Sequence, residues 1–169
     1  MNQLLIVWHS RTGAARQMAE AAARGASAAA AQLEQADELR VVLHRAADVE
    51  ADALLASQGY LFCAPENLAS LSGEMKEFFD RNYYAVLDRI QGLPYACAIS
   101  AGSDGTGAAR QLERICTGWR LKAVAPALIV NLGAQTGEQI WAEKVVPQAD
   151  LDRCEELGGL LAATVLMGG

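Results

Sequence analysis

The sequence lacks any apolar stretch approaching the roughly 20 residues that cross a bilayer, so no membrane insertion is expected. It also lacks a basic excess: Lys and Arg total 14 against 20 Asp and Glu, a formal net charge of -6. Non-specific nucleic-acid binding needs a cationic footprint, so no nucleic-acid partner is expected. The four cysteines, Cys63, Cys97, Cys116 and Cys154, form no Cys-x-x-Cys pair. No metal site and no disulfide frame is therefore expected, and these residues read as small core fillers kept reduced. The opening residues lack the basic and apolar regions of a secretory signal and enter an apolar run at once. The cytoplasm is the expected compartment.

What is present suits one folded domain over residues 1–169, with 52% hydrophobic and 20% charged residues and length enough for a sizeable core. The chain is organised around its beginning. Gln3 to Trp8 is nearly all apolar, as in a central parallel strand covered on both faces. Ser10-Arg11-Thr12-Gly13 follows, then an alanine-rich run to about Leu33 with apolar positions at helical spacing. This reads as strand, tight turn and helix, with Ser10 or Thr12 as the helix cap. A helix N-terminus has unpartnered N–H groups and the positive end of its dipole. With two hydroxyls and a glycine beside it, the turn is an anion pocket suited to a phosphate.

Later segments repeat the alternation. Leu39 to His44, Gly59 to Ala64, Tyr95 to Ser100 and Pro126 to Asn131 read as further strands. A short helix or turn is expected in Asp48 to Ser57, and helices from Ser72 through Tyr84, from Ala108 to Trp119 and from Asp150 to Met167. Leu132 to Pro147 has no clear assignment beyond a helical turn or two within Glu138 to Val146. Five strands alternating with helices predict an α/β fold with a doubly wound parallel sheet, order 2-1-3-4-5, and helices on both faces. Ligands of such sheets lie beyond the C-terminal strand ends, where the order reverses.

Small or polar loops follow the first, third and fourth strands: 10–15, Pro65 to Ser72 and Ala101 to Gly107. All fall on one sheet edge, within reach of one ligand. Each alone is an ordinary turn; their coincidence suits a ligand with a phosphate tail and a flat, hydrogen-bonding head, and FMN meets that description. A nucleotide-binding Gly-x-x-x-x-Gly-Lys-Ser/Thr loop is excluded because the first loop has no lysine. A receiver domain is disfavoured because His9-Ser10 and Ala64-Pro65 stand where it needs acidic residues. His9 and His44 are read as structural or exposed.

Ser10-Arg11-Thr12-Gly13 resembles the phosphate loop of the flavodoxin-like FMN proteins, particularly the NAD(P)H-dependent FMN and quinone reductase branch. Ala64-Pro65-Glu66-Asn67, followed by Ser72 to Arg81, resembles their isoalloxazine loop and the helix after it. Ser100 to Gly105 resembles their third flavin loop. The resemblance implies FMN held by Ser10, Arg11, Thr12, Gly13, Ala14 and Ala15 at its phosphate. It implies contacts to the ring from Pro65, Glu66, Asn67, Leu68, Ser100, Ala101, Gly102, Ser103 and Gly105. Ala14-Ala15 replace the Asn-Thr of many flavodoxins, leaving Arg11 or Arg16 to supply charge. Neither ring loop contains an aromatic residue, whereas electron-carrier flavodoxins commonly sandwich the ring. An enzyme taking hydride from NAD(P)H and reducing a quinone, flavin or similar small acceptor is therefore favoured, with no side chain as catalytic acid or base. A one-electron carrier and a flavin-free interaction module are the alternatives. The resemblance also implies a homodimer or tetramer, with Met75, Phe78, Tyr83, Tyr84 and Trp141 either at the subunit boundary or in the core.

Overall fold

The computed structural model describes residues 1–168. The first strand, β1 (Asn2–Trp8), lies between β2 (Leu39–Arg45) and β3 (Gly59–Asn67), and pairs in parallel with both. Beyond β3 comes β5 (Pro94–Ala101), again parallel. The expected order holds at the far edge too, but the edge strand is split. Lys122–Ala123 (β6) and Leu128–Asn131 (β7) each pair in parallel with β5. Pro126 has no N–H to give a ladder, and the next amide, Ala127 N–H, donates to Glu113 Oε1 at 3.1 Å instead. A second addition is β4 (Ser70–Leu71), which folds back antiparallel on the end of β3 inside what reads as a loop.

Helices α1 (Ala14–Gln32) and α6 (Gln148–Leu166) cover one sheet face. The other face carries α2 (Ala51–Leu55), α3 (Gly73–Val86) and α4 (Thr106–Gly118). The two cores are built differently. On the α3/α4 face, Phe62 meets Phe79 at 4.9 Å between ring centroids and Trp119 at 6.3 Å, mostly edge-on, the geometry aromatic quadrupoles favour. The α1/α6 face is packed by small residues. A Cβ added at Gly25 would stand 1.9 Å from the Glu155 carbonyl oxygen, and one at Gly158 2.0 Å from that of Ala22. The alanine run of α1 thus lets two helix backbones touch. All four cysteines are free and buried.

Two expectations change here. Neither Ser10 nor Thr12 caps α1: the N-cap is Gly13, at φ 92, and no side chain caps the helix. Ser10 Oγ instead accepts the Gly13 N–H at 3.0 Å, which closes the turn ahead of the helix. The left-handed φ explains the glycine. Of the residues considered for a subunit boundary, Met75 and Phe78 are core, while Tyr83, Tyr84 and Trp141 reach the surface.

Candidate functional site

The segment without a sequence assignment, 132–147, decides the shape of the site. It contains a one-turn helix, α5 (Gly137–Trp141), started by a reciprocal Thr136–Gln139 capping box. After it the chain straps down over the turn that follows β1. Lys144 N–H donates to the Thr12 carbonyl at 2.8 Å. Gln17 of α1 donates through Nε2 to the Lys144 carbonyl at 2.7 Å and accepts Val146 N–H at 3.0 Å. Lys144 Nζ turns back onto the carbonyls of Gln139, Ile140 and Ala142, closing the C-terminal end of α5. Ile140 and Trp141 are left pointing to the surface at 52% and 85% exposure.

Between this strap and the strand ends lies a cavity of about 460 Å³, within the range of small-ligand sites. Ser10, Arg11, Thr12 and Ala14 form one end. Pro65, Glu66 and Asn67 of the β3 hairpin, and Ser100, Ala101 and Gly102 at the end of β5, form the rest of the floor. The three loops foreseen on one sheet edge do converge. Ile140, Trp141 and Lys144 complete the wall; nothing in the strand and loop pattern had pointed to them, although Thr136-Gly137-Glu138-Gln139 carries the capping-box signal. Gly13 lies on an adjoining groove. Ala15 is buried behind the loop, its carbonyl accepting from Cys63 Sγ at 3.1 Å. Leu68, Ser103 and Gly105 are outside the lining: Leu68 is fully exposed at the hairpin tip, Ser103 is exposed, and Gly105 is buried at the start of α4.

The hairpin is held against α4 by its own side chains. Glu66 Oε1 accepts Gly105 N–H at 2.8 Å and Oε2 accepts Ala108 N–H at 3.0 Å. This carboxylate satisfies orphan amides at a helix N-terminus and complements its dipole. Gln111 Oε1 accepts from Ser70 Oγ at 2.8 Å and Leu71 N–H at 2.7 Å. Gly107 permits the contact, since a Cβ there would be 2.2 Å from the Ala69 carbonyl oxygen. The tip residues Leu68 and Ala69 both take left-handed φ values, 52 and 62, the conformation of a two-residue hairpin turn.

Beneath the first loop, His9 is buried between Ser72 and Glu74. Its Nδ1 lies 2.7 Å from Ser72 Oγ and its Nε2 3.1 Å from Glu74 Oε2. Glu74 can only accept, so Nε2 carries the proton and Nδ1 accepts from the Ser72 hydroxyl. Burial lowers the His9 pKa, against the pull of Glu74 and with that of Arg11 and Arg45. Ser72 is wholly buried, so this serine–histidine–carboxylate row is a brace and not a nucleophile. Nor is there a reactive thiol: burial pushes Cys97 and Cys154 up to about 12, and Cys63 and Cys116 well above the usual range. Among the described residues, no cluster of His, Cys, Asp and Glu has metal-site geometry, and no helix is long and apolar enough to cross a membrane.

The cavity fits a flat phosphorylated ligand on its own features. The first turn of α1 has neither a side-chain cap nor an acidic residue, so its amides are free to meet an anion, with Arg11 beside them. The sequence profile of the family described as NADPH-dependent FMN reductase matches residues 8–136, which include all three loops. No curated protein matches the sequence. Among solved structures, an oxidoreductase from Corynebacterium diphtheriae is similar, with TM-score 0.77, 21% identity and coverage of 100% of this chain and 99% of that one. A flavodoxin, WrbA-like protein from Agrobacterium tumefaciens gives TM-score 0.74 at 17% identity over 100% of both chains. Megasphaera elsdenii flavodoxin gives 0.69 at 18%, covering 95% and 98%. At these identities the likeness is one of fold, and the fold is flavodoxin-like.

Proposed function

The chain belongs to the NADPH-dependent FMN reductase family, and from that premise we propose an enzyme that takes hydride from NAD(P)H and reduces a quinone, flavin or similar small acceptor. Membership makes it an FMN-dependent oxidoreductase; the hydride donor and the acceptor class are our reading. Bound FMN supplies the hydride-accepting and electron-releasing chemistry. The protein supplies position and electrostatics.

In this reading Ser10, Thr12, the free amides that open α1 and the Arg11 guanidinium hold the phosphate, the usual use of a helix N-terminus. The backbone of 65–67 and 100–102 holds the ring edge, while Leu68, exposed at the hairpin tip, only shapes the turn; N–H groups of the hairpin steady negative charge there. Glu66 is a positioning residue: with its carboxylate bound to Gly105 and Ala108, it keeps the second and third loops in register. Ser103 and Gly105 act through loop shape, because neither lines the cavity.

The observation that carries an enzyme over a carrier is the absence of any aromatic residue from 65–73 and 101–107, the two segments flanking the ring end. A nicotinamide or quinone then has a face to stack on. Trp141 at the mouth supports the second reading, a one-electron carrier, by offering one aromatic wall. Anaerobic mixing of FMN-loaded protein with NADPH or NADH separates them. Rapid loss of the yellow absorbance supports the reductase, and retention of colour with both nucleotides overturns it. We further propose a cytoplasmic enzyme that works as a homo-oligomer, with the exposed Tyr83–Tyr84 pair, centroids 5.3 Å apart, as the boundary to test by sedimentation.

A further inference from the structure

Trp141 is a wall of more than the main cavity. With Ser10, Arg11 and Thr12 it also lines an adjoining groove of about 310 Å³ on the α1 side of the first loop. Trp8, Arg16 and Glu143 complete that groove. The four shared residues put the proposed FMN phosphate site where the two depressions meet. The groove therefore adjoins the flavin site without being part of it.

Its chemistry is that of a nucleotide site. Trp8 and Trp141 offer indole surface, and Trp141 is 85% exposed with nothing packed over it. Stacking on such surface is how proteins hold bases without reading them. Two guanidiniums, Arg11 and Arg16, and one carboxylate, Glu143, line it; Arg11 also lines the main cavity, so Arg16 is the cation that belongs to the groove alone. Arg16 is only loosely engaged, its Nε lying 3.8 Å from Glu20, and exposed pairs of that length hold a side chain weakly. Inorganic phosphate would use the guanidiniums but not the indoles, and Glu143 would oppose it. An adenosine phosphate uses all three kinds of group: base on indole, phosphate on guanidinium, ribose hydroxyl or adenine amine on Glu143.

We infer that this groove holds the adenosine 2′-phosphate end of NADPH, with Trp141 as its stacking platform and Arg16 as the residue that prefers NADPH over NADH. The inference rests on the reductase reading above and names the donor it uses. A guanidinium forks onto a phosphate with charge-assisted hydrogen bonds, and a ribose lacking the 2′-phosphate offers it nothing comparable. Arg11 is left to the flavin phosphate at the junction, so the two cations serve two different anions.

The test needs no turnover. Protein saturated with FMN is titrated with adenosine 2′,5′-bisphosphate and with adenosine 5′-monophosphate, by calorimetry and by indole fluorescence. The bisphosphate is expected to bind at least about tenfold more tightly. Arg16→Ala should abolish that preference and Arg16→Lys should restore part of it. Trp141→Ala should weaken both nucleotides by about tenfold while leaving their ratio unchanged. An absence of saturable binding to the FMN-loaded protein, displacement of either nucleotide by excess FMN, or a preference unaltered in Arg16→Ala overturns the inference. The two readings fail separately. Bleaching by NADPH with an Arg16-independent preference sinks the groove alone, whereas Arg16-dependent binding without bleaching by either dinucleotide sinks the reductase alone.

Discussion

Glu66 Oε2 accepts the Ala108 backbone N–H at 3.0 Å, across 42 residues of sequence, while Oε1 of the same carboxylate accepts Gly105 N–H. One side chain thus joins two of the loops that floor the cavity. In Glu66→Gln one oxygen becomes an NH₂ facing another donor, so a charge-assisted bond is replaced by a clash. Loss of such a bond costs about 2 kcal/mol. We expect a lower thermal midpoint and weaker FMN binding, checked by calorimetric unfolding and flavin fluorescence; unchanged FMN affinity would show that the loops do not need this tie.

The α1/α6 contact gives a paired prediction. Gly158→Ala forces a Cβ to within 2.0 Å of the Ala22 carbonyl oxygen and should destabilise by about 1–3 kcal/mol, as overpacking does. Gly73→Ala, at the start of α3 with nothing within 4 Å of the added Cβ, should stabilise by about 0.4–1 kcal/mol through the unfolded state. Urea midpoints moving in opposite directions check both.

Gln17 is the pin of the strap. In Gln17→Leu the Lys144 carbonyl and Val146 N–H lose their partners, at a cost of about 1–3 kcal/mol if they stay buried. Local release of the strap is the cheaper response. Faster limited proteolysis within 132–147, with the thermal midpoint of the rest little changed, is the expected result.

His9 makes stability pH-dependent. Burial holds its pKa below the ordinary 6.5, so the unfolded chain binds the proton more readily than the folded one. Stability from this group is complete above about pH 6.5 and falls as pH drops from there through the folded value. Glu74, Arg11 and Arg45 are the charges acting on it. Thermal midpoints measured from about pH 8 to 5 should decline over the lower part of the range, and the decline should be shallower in His9→Gln.

Most of this architecture is legible along the chain because it is written in local patterns. The apolar run of β1, the helical spacing of α1 and the turn residues after β3 and β5 are each readable within a dozen residues. The strap is not, because what holds it down is Gln17, more than a hundred residues away, and α5 is a single turn. The split edge strand depends on where Glu113 reaches. The hairpin tip misled for another reason: Leu68 and Ala69 adopt left-handed conformations that sequence patterns reserve for Asn and Gly. The capping expectation failed because Ser10 is spent on Gly13 within the turn itself. The loops after the strands, and the family resemblance they carry, point to residues of 10–15, 65–68 and 100–105, so Trp141, the aromatic residue in the cavity wall, lies outside what they indicate.

A flavin anchored by its phosphate where β1 gives way to α1 should be bound far better as FMN than as the free ring system. Parallel titrations of the flavin-free protein with FMN and with riboflavin, followed by flavin fluorescence, test it most directly. FMN should bind at least about tenfold more tightly, and Arg11→Ala should remove most of the difference. Equal affinity for the two flavins, or no binding of either, would contradict it.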